Sequence, residues 1–217
     1  MKEKILLINK PRGMTSHDVV DLVRRKTGEK RVGHTGTLDP MAEGLLIVLV
    51  GKEATKRQQE FMKIEKEYVA MIRLGATSTT NDAEGEITMT KVQALMTNKI
   101  PISEFKIQSV LRKFIGNIEQ VPPAYSAVKI KGERAYKLAR KGMRPPLKPR
   151  RVTIATIETL SYRYPLLKIR VVCSSGTYIR ALARDIGEKL GLGAYLETLV
   201  RTRIGPYRLE STRGLED

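Results

Sequence analysis

The sequence predicts an α+β fold with a central mixed, mainly antiparallel sheet flanked by helices. Three observations carry this. Short apolar or alternating runs that read as strands recur along all 217 residues. Helical periodicity falls between them without the regular strand–helix–strand rhythm of a parallel sheet. Neither an internal repeat nor a low-complexity segment interrupts the chain.

In order along the chain, residues 4–9 (KILLIN) read as a buried strand that ends at the turn sequence Lys10-Pro11-Arg12-Gly13. A helix follows from Thr15 or Ser16. Val19, Leu22 and Val23 recur at helical spacing, Asp18 occupies the first turn, and Gly28 stops it. Residues 30–43 are a glycine-punctuated loop, 44–50 a buried strand, 65–74 an alternating strand and 75–86 a polar loop. Residues 91–119 read as helical on both sides of Pro101. Pro122-Pro123 then leads to a strand over 124–130, a short basic helix over 134–141 and a Pro- and Arg-rich stretch over 144–151. Strands are expected at 152–162 and 166–173. Thr177 is the expected cap of a helix in which Ile179, Leu182, Ile186 and Leu190 share one face and Gly191 is the stop. A last strand falls at 195–203.

Charge is the outlier in an otherwise ordinary composition. Forty Lys and Arg against 23 Asp and Glu give a formal net charge of +17, a field that attracts polyanions, nucleic acid first among them. With one cysteine, Cys173, the chain has no pair for an internal disulfide and no multi-cysteine zinc site. Two histidines, His17 and His34, are too few for a histidine-rich metal site. The charged start MKEKILLINK lacks the long apolar run and cleavage site of a signal peptide, and its apolar stretch is too short to span a bilayer. A cytoplasmic protein without a membrane segment is expected.

The densest local signal is Arg31-Val32-Gly33-His34-Thr35-Gly36-Thr37-Leu38-Asp39-Pro40, followed by Met41-Ala42-Glu43-Gly44. Glycines and a proline fix the loop's path, and Pro40 biases Asp39 toward an extended backbone. A carboxylate on such a loop, near a histidine and threonine hydroxyls, suits the presentation of a nucleophile. Spacing alone favours the plainer alternative, a turn in which Asp39 hydrogen-bonds its own backbone, since short Asp-Pro loops commonly initiate turns.

GHTGTLDP followed by A-x-GLL resembles the catalytic motif of the TruB family of pseudouridine synthases. Lys10-Pro11 with Gly13, Thr15 and Ser16 precede it, and Ala54-Thr55-Lys56 and Lys66-Glu67-Tyr68 follow. Leu74-Gly75 with Thr77, Thr80, Asp82, Glu84 and Gly85 come next, then the run from Pro122 to Lys129 with Gly132. The series closes with Cys173-Ser174-Ser175-Gly176-Thr177-Tyr178-Ile179-Arg180. These blocks keep the family's order from residue 10 to about residue 205.

The resemblance implies a pseudouridine synthase fold over residues 1–217, with the family's C-terminal PUA domain absent or truncated. It implies isomerisation of uridine to pseudouridine at position 55, in the tRNA T-loop, by base flipping, glycosidic cleavage and reattachment through C5. Asp39 falls on the catalytic aspartate, acting by attack on the ribose or by assisting glycal formation. Tyr68 falls on the tyrosine that stacks on the base near the departing C5 proton, and Arg180 on the arginine that pairs with the aspartate. His34, Tyr178 and Leu199 fall on substrate-binding positions. Neither metal nor organic cofactor is implied. The partner is tRNA, through its T-loop and stem, without guide RNA, and the chain is expected to act as a monomer. Cationic stretches at 24–31, 137–151 and 201–203 would hold phosphates. Ser175, Tyr195 and Val200 depart from the lysine, histidine and arginine frequent in bacterial members.

Overall fold

The computed structural model describes residues 4–90, 102–130, 132–143, 145–212 and 214. Two compact units make up the chain: Met1–Val69 with Leu199–Asp217, and Ala70–Thr198.

In the first unit, strand β1 (Lys4–Lys10) runs antiparallel to β3 (Glu43–Val50), pairing Lys4 with Val50 and Lys10 with Gly44. The short β2 (Val32–His34) also pairs antiparallel with β3. The end of β12 (Ala194–Ile204) lies parallel to β3, with Val200 opposite Glu43 and Arg201 opposite Gly44. It then turns into β13 (Tyr207–Arg208). The sheet is therefore mixed. Seven consecutive residues of β3 are buried because both of its faces are covered. Leu46, Val48 and Val50 pack with Ile8, Val32 and the valines of helix α1 (Ser16–Thr27). Leu45, Ile47 and Leu49 pack on the other side with Ala54 of α2 (Lys52–Lys56), Phe61 of α3 (Gln58–Met62) and Ile204.

Helix α1 is fixed at both ends by local chemistry. The Thr15 hydroxyl accepts from the Asp18 N–H, and the Asp18 carboxylate accepts from the Thr15 N–H, a reciprocal cap that satisfies two otherwise orphaned donors. Gly28 ends the helix in the left-handed region at φ 67°, where a side chain would be strained. Val19, Val20 and Val23 form its buried face, and Leu22 is half-buried.

The second unit holds the remainder of β4 (Lys66–Leu74), the hairpin β5 (Ala76–Ser78) and β6 (Ile87–Met89), and helix α4 (Glu104–Arg112). After β7 (Gly116–Gln120) come the hairpin β8 (Lys129–Ile130) and β9 (Glu133–Arg134) and helix α5 (Ala135–Arg140). Long β10 (Arg150–Arg163) runs antiparallel to both β7 and β11 (Leu166–Cys173). Alternate residues of β11, from Leu167 to Cys173, point into the core. Helix α6 (Ile179–Leu190) contributes Leu182 and Ile186 to the buried set and packs with α4. Gly187 is required there, since a Cβ would come within 2.3 Å of the Ala194 nitrogen.

The α+β class and mixed sheet expected from sequence hold, and several local expectations change. Helix does not continue to residue 119: α4 ends at Arg112, Gly116 adopts φ 102°, and Gly116–Gln120 becomes a strand on β10. The part of that expectation over 91–101 lies outside the described residues. Of the strand expected at 124–130, only Lys129–Ile130 forms, paired with Glu133–Arg134. The loop expected over 30–43 contains β2, and that over 75–86 contains β5. Thr177 does not cap α6; its hydroxyl donates to the Ser174 carbonyl. Tyr178 is the N-cap, and the Gln120 side chain accepts from its N–H at 2.8 Å.

Candidate active site

Between β2 and β3 the chain makes the loop that carries Asp39, and its neighbours hold it at several points. The Thr35 N–H donates to the Ile47 carbonyl at 3.1 Å. The Ser16 hydroxyl accepts from the Leu38 N–H at 2.8 Å and donates to the Leu38 carbonyl at 3.2 Å. The Gly13 N–H donates to the Pro40 carbonyl at 2.8 Å, and the Ala42 N–H closes a turn on the Asp39 carbonyl at 3.0 Å. Asp39 itself is half-buried. The KP-x-G-x-T-S stretch before α1 thus ties down the loop's far side, while β3 anchors its exit. At that exit Gly44 has φ 107°, and a Cβ there would meet the Arg201 carbonyl oxygen at 2.4 Å. Only glycine fits.

His34 closes β2 beside this loop. Its Nδ1 accepts from the Gly36 N–H, and its carbonyl accepts from Gln58 at 2.7 Å. Accepting at Nδ1 requires that nitrogen to be unprotonated. Burial, then the charges of His17 and Arg201, bring the imidazole pKa down to about 4. His34 is therefore neutral at physiological pH, an aromatic face rather than a cation. Of the threonines near the aspartate, Thr35 is fully buried and its hydroxyl has no hydrogen-bond partner among the described residues, while Thr37 is exposed.

Tyr68 lies on the buried face of β4 with Lys66 and Ala70, its side chain 7% exposed, and Leu199 is buried on β12. Lys66 uses its ammonium group to cap the carbonyls of Met62 and Ile64.

In the second unit, Tyr178 and Arg180 stand at the first turn of α6. Arg180 is buried against the Asp82 carboxylate at 3.1 Å and donates to the carbonyls of Thr80 and Tyr125. A guanidinium held by a carboxylate and two carbonyls is rigidly aimed. Asp82 is oriented in turn, accepting from the Thr80 hydroxyl and the Glu84 N–H.

Residues 24–179 match the family described as TruB family pseudouridylate synthase (N terminal domain). The chain belongs to the TruB family. Its similarity extends to a tRNA pseudouridine synthase B of Bacteroides fragilis, 50% identical over 213 residues that cover 95% of this chain and 88% of the relative. Another tRNA pseudouridine synthase B, from Bacteroides thetaiotaomicron, is 50% identical over 219 residues, covering 96% and 88%. Among solved structures it resembles a chain of a Cbf5-Nop10-Gar1 complex, with a TM-score of 0.74 and 33% identity. That match covers 98% of this chain and about half (52%) of the other.

Asp82, the carboxylate that pairs with Arg180, is visible in the sequence only as part of a motif. Its signal is weak because its partner Arg180 is 98 positions away, and the ion pair appears only once the chain folds. Gln120, which holds the Tyr178 backbone through both N–H and carbonyl, gave no signal at all. The expectation that cations at 201–203 face phosphates does not hold. Arg201 is 1% exposed, and Arg203 pairs with Glu65 at 3.0 Å and Glu67 at 3.7 Å. Arg25, Lys26, Lys30 and Arg31 are exposed, as are Lys137, Arg140, Lys141, Lys148, Arg150 and Arg151. Among the described residues, no group of three or more His, Cys, Asp or Glu is arranged to hold a metal, and no helix is long and apolar enough to cross a membrane.

Proposed function

We infer that this chain isomerises uridine to pseudouridine in tRNA, at position 55 of the T-loop, with Asp39 as its central carboxylate. The observation that supports the reading is the tethered GHTGTLDP loop, which holds Asp39 on a fixed backbone. In the reaction the N1–C1′ bond breaks, uracil turns, C5 bonds to C1′, the C5 proton leaves and N1 takes one up. Positive character grows on the ribose during cleavage, and a carboxylate stabilises or traps it much as in glycosidases. Asp39 does so by adding to C1′ or by assisting glycal formation. Arg180 serves as the cation that keeps Asp39 ionised once water is excluded. Tyr68 stacks on the base and lies near the departing C5 proton. His34, Tyr178 and Leu199 hold the flipped nucleotide.

Flipping a base out of the T-loop costs a few kcal/mol, recovered by stacking and edge contacts. The excess positive charge supplies the phosphate attraction. The chain works as a monomer in the cytoplasm, without guide RNA. The test is to incubate it with unmodified tRNA transcript, no guide added, and map pseudouridine. Product at position 55 is expected. Asp39→Asn should remove turnover while leaving fold and RNA affinity intact, since the amide keeps the side chain's shape and loses its charge. Product only with added guide RNA, or near wild-type turnover in Asp39→Asn, would overturn the reading.

A further inference from the structure

We propose that Arg201 is a positioning residue that sets the geometry of the Asp39 loop by clamping both of its stems. The inference rests on the functional reading above. Asp39 lies within residues 36–45, and the two carbonyls at the ends of that stretch meet on one guanidinium. Arg201 donates from Nη2 to the Gly36 carbonyl at 3.2 Å and from Nε to the Leu45 carbonyl at 2.7 Å. A planar fork with donors in fixed directions sets the spacing of the two stems as well as their contact with it.

The backbone takes part as well. Parallel pairing places Arg201 opposite Gly44, close enough that the missing Cβ of Gly44 is what admits the Arg201 peptide. Strand alternation puts Arg201 on the same face of β12 as Leu199, itself a proposed substrate contact, and both are buried. One strand end therefore supports the loop's exit with its backbone and its entrance with a side chain.

The chemistry of the residue argues for a task beyond filling space. Arg201 is 1% exposed and makes no ion pair among the described residues. A buried cation without a counter-ion is costly, and packing alone would be served by an apolar side chain. What the guanidinium offers that a methionine cannot is two directed donors.

The test compares wild type, Arg201→Met and Arg201→Lys in the full chain, with unmodified tRNA transcript as substrate. It measures kcat, KM, transcript affinity and thermal melting. Positioning predicts that kcat of Arg201→Met falls by about 100-fold, the loss expected when a reacting group is misplaced by about 1 Å, with KM and affinity within about threefold. Arg201→Lys, which keeps the charge and can reach one carbonyl, should recover part of that kcat. If Arg201→Met does not fold, Arg201→Lys decides: a reduced kcat at unchanged KM and melting temperature supports the clamp, and a full kcat overturns it. Wild-type kcat in a folded Arg201→Met, or losses confined to KM, also overturns it. A wild-type chain that makes no pseudouridine removes the functional reading and this inference together, whereas an active wild type with an unaffected variant removes the inference alone.

Discussion

The Asp39 loop and the described residues from Val121 to Pro149 are both largely irregular backbone, yet they are built in opposite ways. The loop is short and fastened by backbone and side-chain bonds from β3, from the Gly13–Ser16 stretch and from Arg201. Among its described residues the segment holds two two-residue strands and one six-residue helix. Its ties include Ala135 to Val128 and Tyr136 to Ser126. Its cations Lys129, Arg134, Lys137, Arg140, Lys141 and Lys148 are exposed. Placing a reacting carboxylate needs fixed geometry, whereas meeting a phosphate backbone needs charge and reach. On the proposed function the two regions divide along that line.

Paired glycine substitutions give the sharpest contrast. Gly44→Ala, which drives a Cβ into the Arg201 carbonyl at a strained φ, should destabilise by at least about 3 kcal/mol and remove activity. Gly132→Ala has a comparable φ of 89° but open space around it, so only the left-handed cost of about 1–2 kcal/mol is expected. Equal losses in urea midpoints would erase the distinction.

A second contrast lies in pH. His34 has a folded-state pKa near 4, below the ordinary value of 6.5. The unfolded chain therefore binds a proton first as pH falls. Its contribution to stability is full above about pH 6.5 and is lost between 6.5 and 4, at up to about 1.4 kcal/mol per unit. The difference in unfolding free energy between wild type and His34→Gln, followed from pH 7 to 4.5, should show that slope. A pH-independent difference would mean the imidazole is not held neutral by its surroundings.

The smallest effect on stability belongs to the exposed cations between residues 137 and 151. Replacing Lys137, Lys148, Arg150 and Arg151 together by Ala should change unfolding free energy by no more than about 0.5 kcal/mol per site. The same variant should flatten the dependence of log affinity for tRNA on log salt by about 3, at roughly 0.7–0.9 per lost contact. The modified position should not change. An unchanged salt slope would place the phosphate contacts elsewhere.

What the sequence disclosed follows the range of the interactions concerned. Helix α1 was legible because Thr15, Asp18 and Gly28 announce its ends within a few residues, and β3 because its apolar run is continuous. The Asp39 loop was legible because its motif is contiguous. Residues 116–119 read as helix because what makes them a strand is pairing with residues 151–154, more than thirty positions away. The partnership of Asp82 with Arg180 and the burial of Arg201 share that origin. An arginine in a run of three polar residues ordinarily reads as surface, and only the parallel register with Gly44 turns it inward.

That register also bears on how the molecule is made. The bonds from Arg201 to Gly36 and Leu45 span 165 and 156 positions of sequence. On a ribosome the GHTGTLDP stretch emerges well before β12, the strand that carries its clamp. Contacts of such separation form late, after the long closure entropy between them has been met. A nascent chain that has not yet reached β12 therefore carries the aspartate without the fork that spaces its stems. Synthesis itself orders the parts: the loop's residues are present before the side chain that bonds to both of its stems.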